Sequence, residues 1–372
     1  MFNLDRRLIK NFDWLTLIVV LAIAIIGIIT IYSATRPLPL EEQSVFYIKQ
    51  VFWLVFGIIS LFLVSLFDYI WLSRLSIYFY IIGIILLIGV LILGSSGMGA
   101  QRWLSVGHFS FQPSEIFKLF YIIMLSQHLS SINGPLNTVS LLRIFLMIVL
   151  VPFSLLFKQP DLGTALIIFL LFVLLVIVKG LHKKVAILFV ILSLISLPFF
   201  GSIFWEGLKD YQKSRIVAFM EPKEDLTGIG YHITQSKITV GSGGLIGKGY
   251  LEGTQGPFRF LPEKHTDFIF SVFAEEWGFL GSLLLLFLYL MIILRGVDTA
   301  RTAKDEFGKF LALGITFMFS IYFFVNVGMT LGMMPVVGIP LPFMSYGGTA
   351  LLSNLLAIGI LINIRLRRFH LF

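Results

Sequence analysis

Long apolar runs separated by short polar breaks dominate this sequence, and most runs reach the length of about 20 residues that a helix needs to cross a bilayer. Read in order, the windows place about ten helices at 14–34, 45–67, 75–94, 113–131, 141–157, 161–179, 184–200, 268–295, 307–333 and 345–364. The expected fold is an all-α polytopic membrane protein, one integral unit over residues 1–372. The fifth and sixth helices are separated only by Lys158-Gln159-Pro160, a tight re-entry. A single polar stretch is long, from about 201 to 266. Within it Trp205 to Met220 reads as an amphipathic helix, with Trp205, Leu208, Tyr211, Ile216 and Phe219 set against Lys209, Lys213 and Arg215. That pattern suits a position along the outer membrane surface. No internal repeat of the kind many transporters carry is visible.

Composition supports the membrane reading: 58% of the 372 residues are apolar and 13% charged. A soluble core of that make-up would leave too little polar surface. The absence of cysteine excludes disulfides, thiolate catalysis and cysteine-held metals. The first apolar segment, Asp13 to Thr35, is too long for a cleavable signal.

The net charge of +8 is better explained by topology than by nucleic acid. One set of short segments carries Arg6, Arg7, Lys10, Arg74, Arg143, Lys179, Lys183, Lys184, Arg295, Arg301, Lys304, Arg365, Arg367 and Arg368. The opposite set carries only Arg36, Arg102 and Lys158. The positive-inside rule then puts both termini in the cytoplasm and the long loop outside.

Candidate chemistry concentrates on that outer side. Glu115 and Lys118 sit three apart near the start of the fourth helix, as an intrahelical pair or as the lining of a polar cavity. Asp161 opens the sixth helix, where a helix cap is the simplest role. Lys49, Arg102 and Lys158 lie near neighbouring outer ends, either as interfacial snorkelers or as a charge set for a diphosphate. The stretch Gly241-Ser242-Gly243-Gly244 with Gly247-Lys248-Gly249 lacks the spacing of a nucleotide loop and reads as tightly turning backbone. Asn326 is a buried amide that needs a partner. Two prolines and two glycines in Gly338 to Thr349 imply a rigid, irregular outer loop.

The sharpest feature is Leu261-Pro262-Glu263-Lys264-His265-Thr266-Asp267, which sets charged groups directly before an apolar helix. Thr266 or Asp267 is a helix cap, or Asp267 is a functional carboxylate, and His265 is either a hydrogen-bonded loop residue or a reactive one. A helix starting at Asp267 would align Asp267, Ser271 and Glu275 on one face. No metal-ligand spacing recurs among the six histidines.

Several blocks together resemble the SEDS family (shape, elongation, division, sporulation), and its RodA-like elongation branch in particular. They are Gly99 to Leu104, Gln112 to Lys118, Gln159 to Thr164, Gly230-Tyr231-His232, Gln235-Ser236-Lys237, Gly241 to Gly249, Phe260 to Gly278 and Pro335 to Gly348. Lys49 stands where the family often has arginine, which keeps the charge but loses the forked geometry. Trp277 stands where leucine is common.

The resemblance implies a peptidoglycan glycosyltransferase that polymerises lipid II, a disaccharide-pentapeptide on undecaprenyl diphosphate, on the outer face of the bacterial cytoplasmic membrane during elongation. Transfer from a diphosphate carrier needs cations on the leaving group and one base for the acceptor hydroxyl. By similarity Asp267 is that base. Lys49, Arg102, Lys118 and Lys158 are candidate diphosphate contacts, with Glu115 and Asp161 organising the cavity. Gln112, Lys248 and His265, from the matched blocks, complete the substrate-binding set.

An aspartate of ordinary pKa, about 3.9, is a weak base at neutral pH. The chemistry therefore calls for a raised pKa or a divalent cation such as Mg2+ or Mn2+, and both stay open at this point. The implied partners are a class B penicillin-binding protein, contacted through the eighth and ninth helices, and other membrane proteins of the elongation complex, but no nucleic acid. A lipid II flippase is the main alternative and a passive scaffold a third. The one-sided polar loop ending at Asp267 favours chemistry.

Overall fold

The computed structural model describes residues 12–36, 38, 40–97, 100–106, 109–183, 185, 206–207, 210–220, 228–254 and 265–368. Their backbone forms helices α1 (Trp14–Thr35), α2 (Leu40–Leu66), α3 (Ile70–Arg74) and α4 (Ser76–Leu93), then strands β1 (Ser95–Gly97), β2 (Ala100–Val106) and β3 (Phe109–Phe111). After these come α5 (Pro113–Ser130), α6 (Thr138–Lys158), α7 (Leu162–Lys179), α8 (Asp210–Met220) and α9 (Ile229–Ser242). The chain closes with α10 (Ile269–Arg301), α11 (Glu306–Thr330) and α12 (Gly348–Leu366).

Eight of the described helices are long and apolar enough to cross a membrane: α1, α2, α4, α6, α7, α10, α11 and α12. The protein is a multi-pass membrane protein. The fourth expected helix is present as α5, whose polar first turn and tail lower its hydropathy. The seventh, at 184–200, lies outside the described residues apart from Val185, as do Glu263 and Lys264.

Burial follows position in the bundle. Helices α5, α11 and α12 form its centre: α12 packs along α2, α11 along α10, and α5 against both α4 and α11. Helix α4 turns residues such as Ile85, Ile92 and Leu93 outward, as a lipid-facing helix must. Backbones approach closely where glycine permits. A methyl on Gly27 of α1 would meet Cα of Met344 at 2.6 Å. Helix α6 contains a π turn at Phe145–Leu150 just ahead of Pro152. Proline supplies no amide hydrogen to the preceding turn and crowds its carbonyl, so a wider turn relieves the contact.

Two features depart from the sequence reading, and a third agrees with it. The all-α expectation holds for the membrane body, but β1, β2 and β3 form a small antiparallel sheet in the order β1-β2-β3 between α4 and α5. The amphipathic segment expected at 205–220 is helical at every described position, 206–207 and Asp210–Met220, and so agrees with the sequence reading. Helix α10 is broken at Gly278 (φ 65°, ψ −162°), and residues 244–249 close the gap. The Lys248 and Gly249 amides donate to the carbonyls of Glu275 and Glu276 at 3.0 and 3.1 Å. Phe279 and Leu280 donate back to the carbonyls of Gly244 and Leu245 at 2.9 and 3.1 Å. A break at membrane depth persists only when its freed backbone groups find such partners.

Candidate active site

A cavity of about 240 Å³ opens at one end of the bundle. Its lining joins β2, the first turns of α5 and α7, α8, α11, the turn before α10, and the loop before α12. Distant parts of the sequence thus meet in one polar chamber.

Its best-defined feature is the Glu115–Lys118 pair. Pro113 at the helix start places Glu115 in the first turn and Lys118 one turn on. The ammonium bonds Oε1 of Glu115 at 2.7 Å and lies 4.8 Å from the Tyr322 ring centroid. Both side chains are almost fully buried, at 2% and 6% exposure, so each charge needs the other. Pairing and cavity lining, alternatives in sequence, coexist here. Ser353 of α12 donates to the main-chain carbonyl of Glu115 at 2.8 Å and fixes the turn.

Asp161 likewise combines both roles proposed for it. It caps α7, accepting from the Thr164 amide at 3.4 Å and the Thr164 hydroxyl at 2.9 Å. Ser114 reaches its Oδ2 at 3.3 Å. Arg102, carried in by β2, lies 3.6 Å from Oδ1 and donates to the Pro160 carbonyl at 2.8 Å. The small sheet is therefore what delivers this cation. Gln112, just before α5, also lines the cavity and donates to the Ser114 hydroxyl at 3.1 Å.

Asp267 faces the same chamber, but not from a helix. Residues 265–268 form a turn, α10 starts at Ile269, and its N-cap position is Phe268. The cap reading of Asp267 is thereby overturned. So is the shared face with Ser271 and Glu275, which required helix from Asp267 onward. Those two residues turn toward α9: the hydroxyls of Ser271 and Ser236 lie 2.7 Å apart, and Ser242 reaches Glu275 at 3.5 Å. Asn326 finds its partners here, donating to the carbonyls of Asp267 at 3.0 Å and Ile339 at 2.8 Å.

Four sequence candidates are placed elsewhere. Lys248 binds Glu275 at 2.6 Å and the Thr254 hydroxyl at 2.8 Å, bracing the break in α10 rather than lining the cavity. The His265 ring packs between Phe46 and Tyr346, with centroids 4.8 and 5.8 Å away. Lys49 and Lys158 are exposed, and neither lines the cavity. Lys158 is the last residue of α6, and Lys49 lies ten residues into α2.

Sequence reasoning missed Arg215, Tyr322 and Tyr346, all in the lining. In the sequence Arg215 is only one cation among several on an amphipathic helix. The two tyrosines carry no local signal among 12 tyrosines and 38 phenylalanines. Burial pushes the Tyr346 phenol above its ordinary value, which keeps it a neutral donor. Among the described residues no three His, Cys, Asp or Glu side chains gather as a metal set. The described donors do not fit a cation held by protein alone.

The family model for FtsW, RodA and SpoVE, described as cell cycle protein, matches residues 13–369, and the chain belongs to that family. It is 43% identical over 292 residues to the peptidoglycan glycosyltransferase MrdB of Escherichia coli (strain K12), covering 78% of each chain. It is 32% identical to the peptidoglycan glycosyltransferase RodA of Treponema pallidum, covering 97% of this chain and 99% of that one. Among solved structures, a chain from a peptidoglycan synthase complex that coordinates polymerization and crosslinking superposes with a TM-score of 0.81 at 30% identity, covering 96% of this chain and 99% of the other. The rod shape determining protein RodA of Thermus thermophilus gives 0.70 at 28% identity, covering 96% and 98%.

Proposed function

We propose that this chain is a peptidoglycan glycosyltransferase that polymerises lipid II on the outer face of the bacterial cytoplasmic membrane. The observation that carries the reading is the meeting of Asp267 with Arg102, Lys118 and Arg215 in one cavity. Cations suit the diphosphate of the lipid carrier, and one carboxylate suits the only proton that must move. Asp267 takes the proton of the acceptor sugar's 4-hydroxyl. The freed oxygen attacks C1 of the donor sugar and forms the glycosidic bond. The bond from C1 to the phosphate oxygen breaks, and its electron pair leaves on undecaprenyl diphosphate. Preorganised cations stabilise that developing charge.

The relatives named as glycosyltransferases support the activity. The superposition on a chain from a synthase complex supports a crosslinking partner, which we take to be a class B penicillin-binding protein. Its single membrane helix is expected against α10 and α11, where Phe279, Leu280, Leu283 and Phe324 are exposed.

The test is purified full-length protein incubated with lipid II and scored for glycan polymer. Asp267→Asn should reduce polymer at least about 100-fold, as loss of a general base does. Undiminished polymer in the variant would sink the assignment of Asp267. No polymer from wild type, even with its crosslinking partner present, would return the lipid transport reading.

A further inference from the structure

Six charged side chains line the cavity: Arg102, Lys118 and Arg215 against Glu115, Asp161 and Asp267. Two of the cations pair with carboxylates other than Asp267. Lys118 is held by Glu115 at 2.7 Å and Arg102 stands 3.6 Å from Asp161, both beside buried first turns of membrane helices. Arg215 differs in its support. It is carried by α8, an eleven-residue helix from the long polar stretch. It meets Asp267 across Gly338: a methyl on that glycine would lie 3.5 Å from Oδ2 of Asp267 and 3.6 Å from Nη1 of Arg215. Gly338 itself adopts φ +74°, so the loop turns at the point where the two groups converge.

This arrangement poses a chemical problem. A guanidinium beside a carboxylate favours the ionised form and makes it a poorer base. A diphosphate entering the same cavity competes for that guanidinium, whose planar fork matches phosphate oxygens as well as carboxylate.

We propose that Arg215 is a shared clamp, facing Asp267 before the lipid substrate enters and transferring to the substrate's diphosphate afterwards. Substrate binding thereby unmasks the carboxylate at the moment a base is needed. The role rests on the reading of Asp267 as the base, and it adds a substrate-binding residue and an order of events. Glu115 and Asp161 stay with their own cations throughout, so the exchange involves only Arg215, Asp267 and the diphosphate.

The test measures affinity of full-length protein for undecaprenyl diphosphate in detergent micelles, in a double-mutant cycle. In the wild-type background Asp267→Asn removes the competitor for Arg215 and also relieves repulsion of the diphosphate. In the Arg215→Gln background only the repulsion is relieved. The gain from Asp267→Asn should therefore be larger with Arg215 present, by about fivefold, the low end of usual couplings between bound groups. Equal gains in both backgrounds, or no gain in either, overturn the clamp. Arg215→Lys retains the charge without the fork and should show a smaller difference, which keeps the cycle readable if the glutamine variant does not fold. Polymer assays on Asp267→Asn alone report separately on the base, so failure of that reading and failure of the clamp are distinct results.

Discussion

Asn326, buried in the last turns of α11, holds the main-chain carbonyls of Asp267 and Ile339 with one amide group, at 3.0 and 2.8 Å. One side chain thus ties the turn bearing the carboxylate to the loop bearing Gly338. Asn326→Ala leaves two buried carbonyls short of a donor, a cost of about 1–3 kcal/mol. The larger effect falls on geometry, because a carboxylate displaced by about 1 Å loses on the order of 100-fold in rate. Polymerisation should drop far more than thermal stability, as read from polymer yield and unfolding temperature on the same preparation. A variant that loses stability but retains full rate would show that Asp267 is positioned by other contacts.

The buried pair of Glu115 and Lys118 predicts an asymmetry between single and double substitution. Lys118→Met strands a carboxylate at 6% exposure, and breaking a pair this way costs about 3–5 kcal/mol. Changing Glu115→Gln as well removes the stranded charge and should recover most of that stability. Activity should not return, since the cavity still lacks a cation. Unfolding temperatures of the two singles and the double, set beside polymer yield, separate the structural from the chemical part.

The sequence made much of this legible, for identifiable reasons. Spans carry long apolar runs, and each charge that interrupts one is costly enough to be conspicuous, which is why Glu115, Lys118, Asp161 and Asp267 were found. The small sheet was not legible, because Ser95 to Phe111 has no clean alternation and lies between two helices. Nor was the break at Gly278, since one glycine in an apolar helix is common and its partners lie some thirty residues earlier in sequence. Lys248 and His265 enter the substrate-binding set only through the blocks that carry the family resemblance. The structure commits Lys248 to Glu275 and packs the His265 ring at a tilt against Phe46, contacts set by tertiary packing.

Gly278 itself supplies a sharp test. Its φ and ψ fall where only glycine is comfortable, and an added Cβ would sit 2.3 Å from the Gly247 amide nitrogen and 2.6 Å from the Ile246 carbonyl carbon. Nothing there can yield, because the neighbours are backbone already hydrogen-bonded across the break. Gly134→Ala is the control: its φ is also positive, at +77°, but open space surrounds it. The control should cost only about 1 kcal/mol of strain, whereas Gly278→Ala should prevent accumulation of folded protein. Equal yields and unfolding temperatures for the two would mean that the clasp is pliable.

At the other end of the bundle Asp13 joins three helices and gives a pH prediction. Its carboxylate caps α1 through Thr16 and meets Arg295 at 2.5 Å and Arg365 at 3.4 Å, while Arg365 also reaches Asp298 at 2.6 Å. Burial alone would raise its pKa, but the bonds from Thr16 and Arg295 outweigh that and hold it below the ordinary 3.8. A carboxyl with a depressed folded pKa stabilises the fold above its unfolded value, and that contribution fades as pH falls through the folded value. Asp13→Asn should therefore lower stability by about 2 kcal/mol at neutral pH, as expected for hydrogen bonds to a charged group. The gap in unfolding temperature between wild type and variant should be the same at about pH 7.5 and pH 5.5, and narrow only below about pH 4, where the unfolded-state aspartate takes up its proton. A gap that closes already between pH 7 and 5 would place the responsible titration on another group.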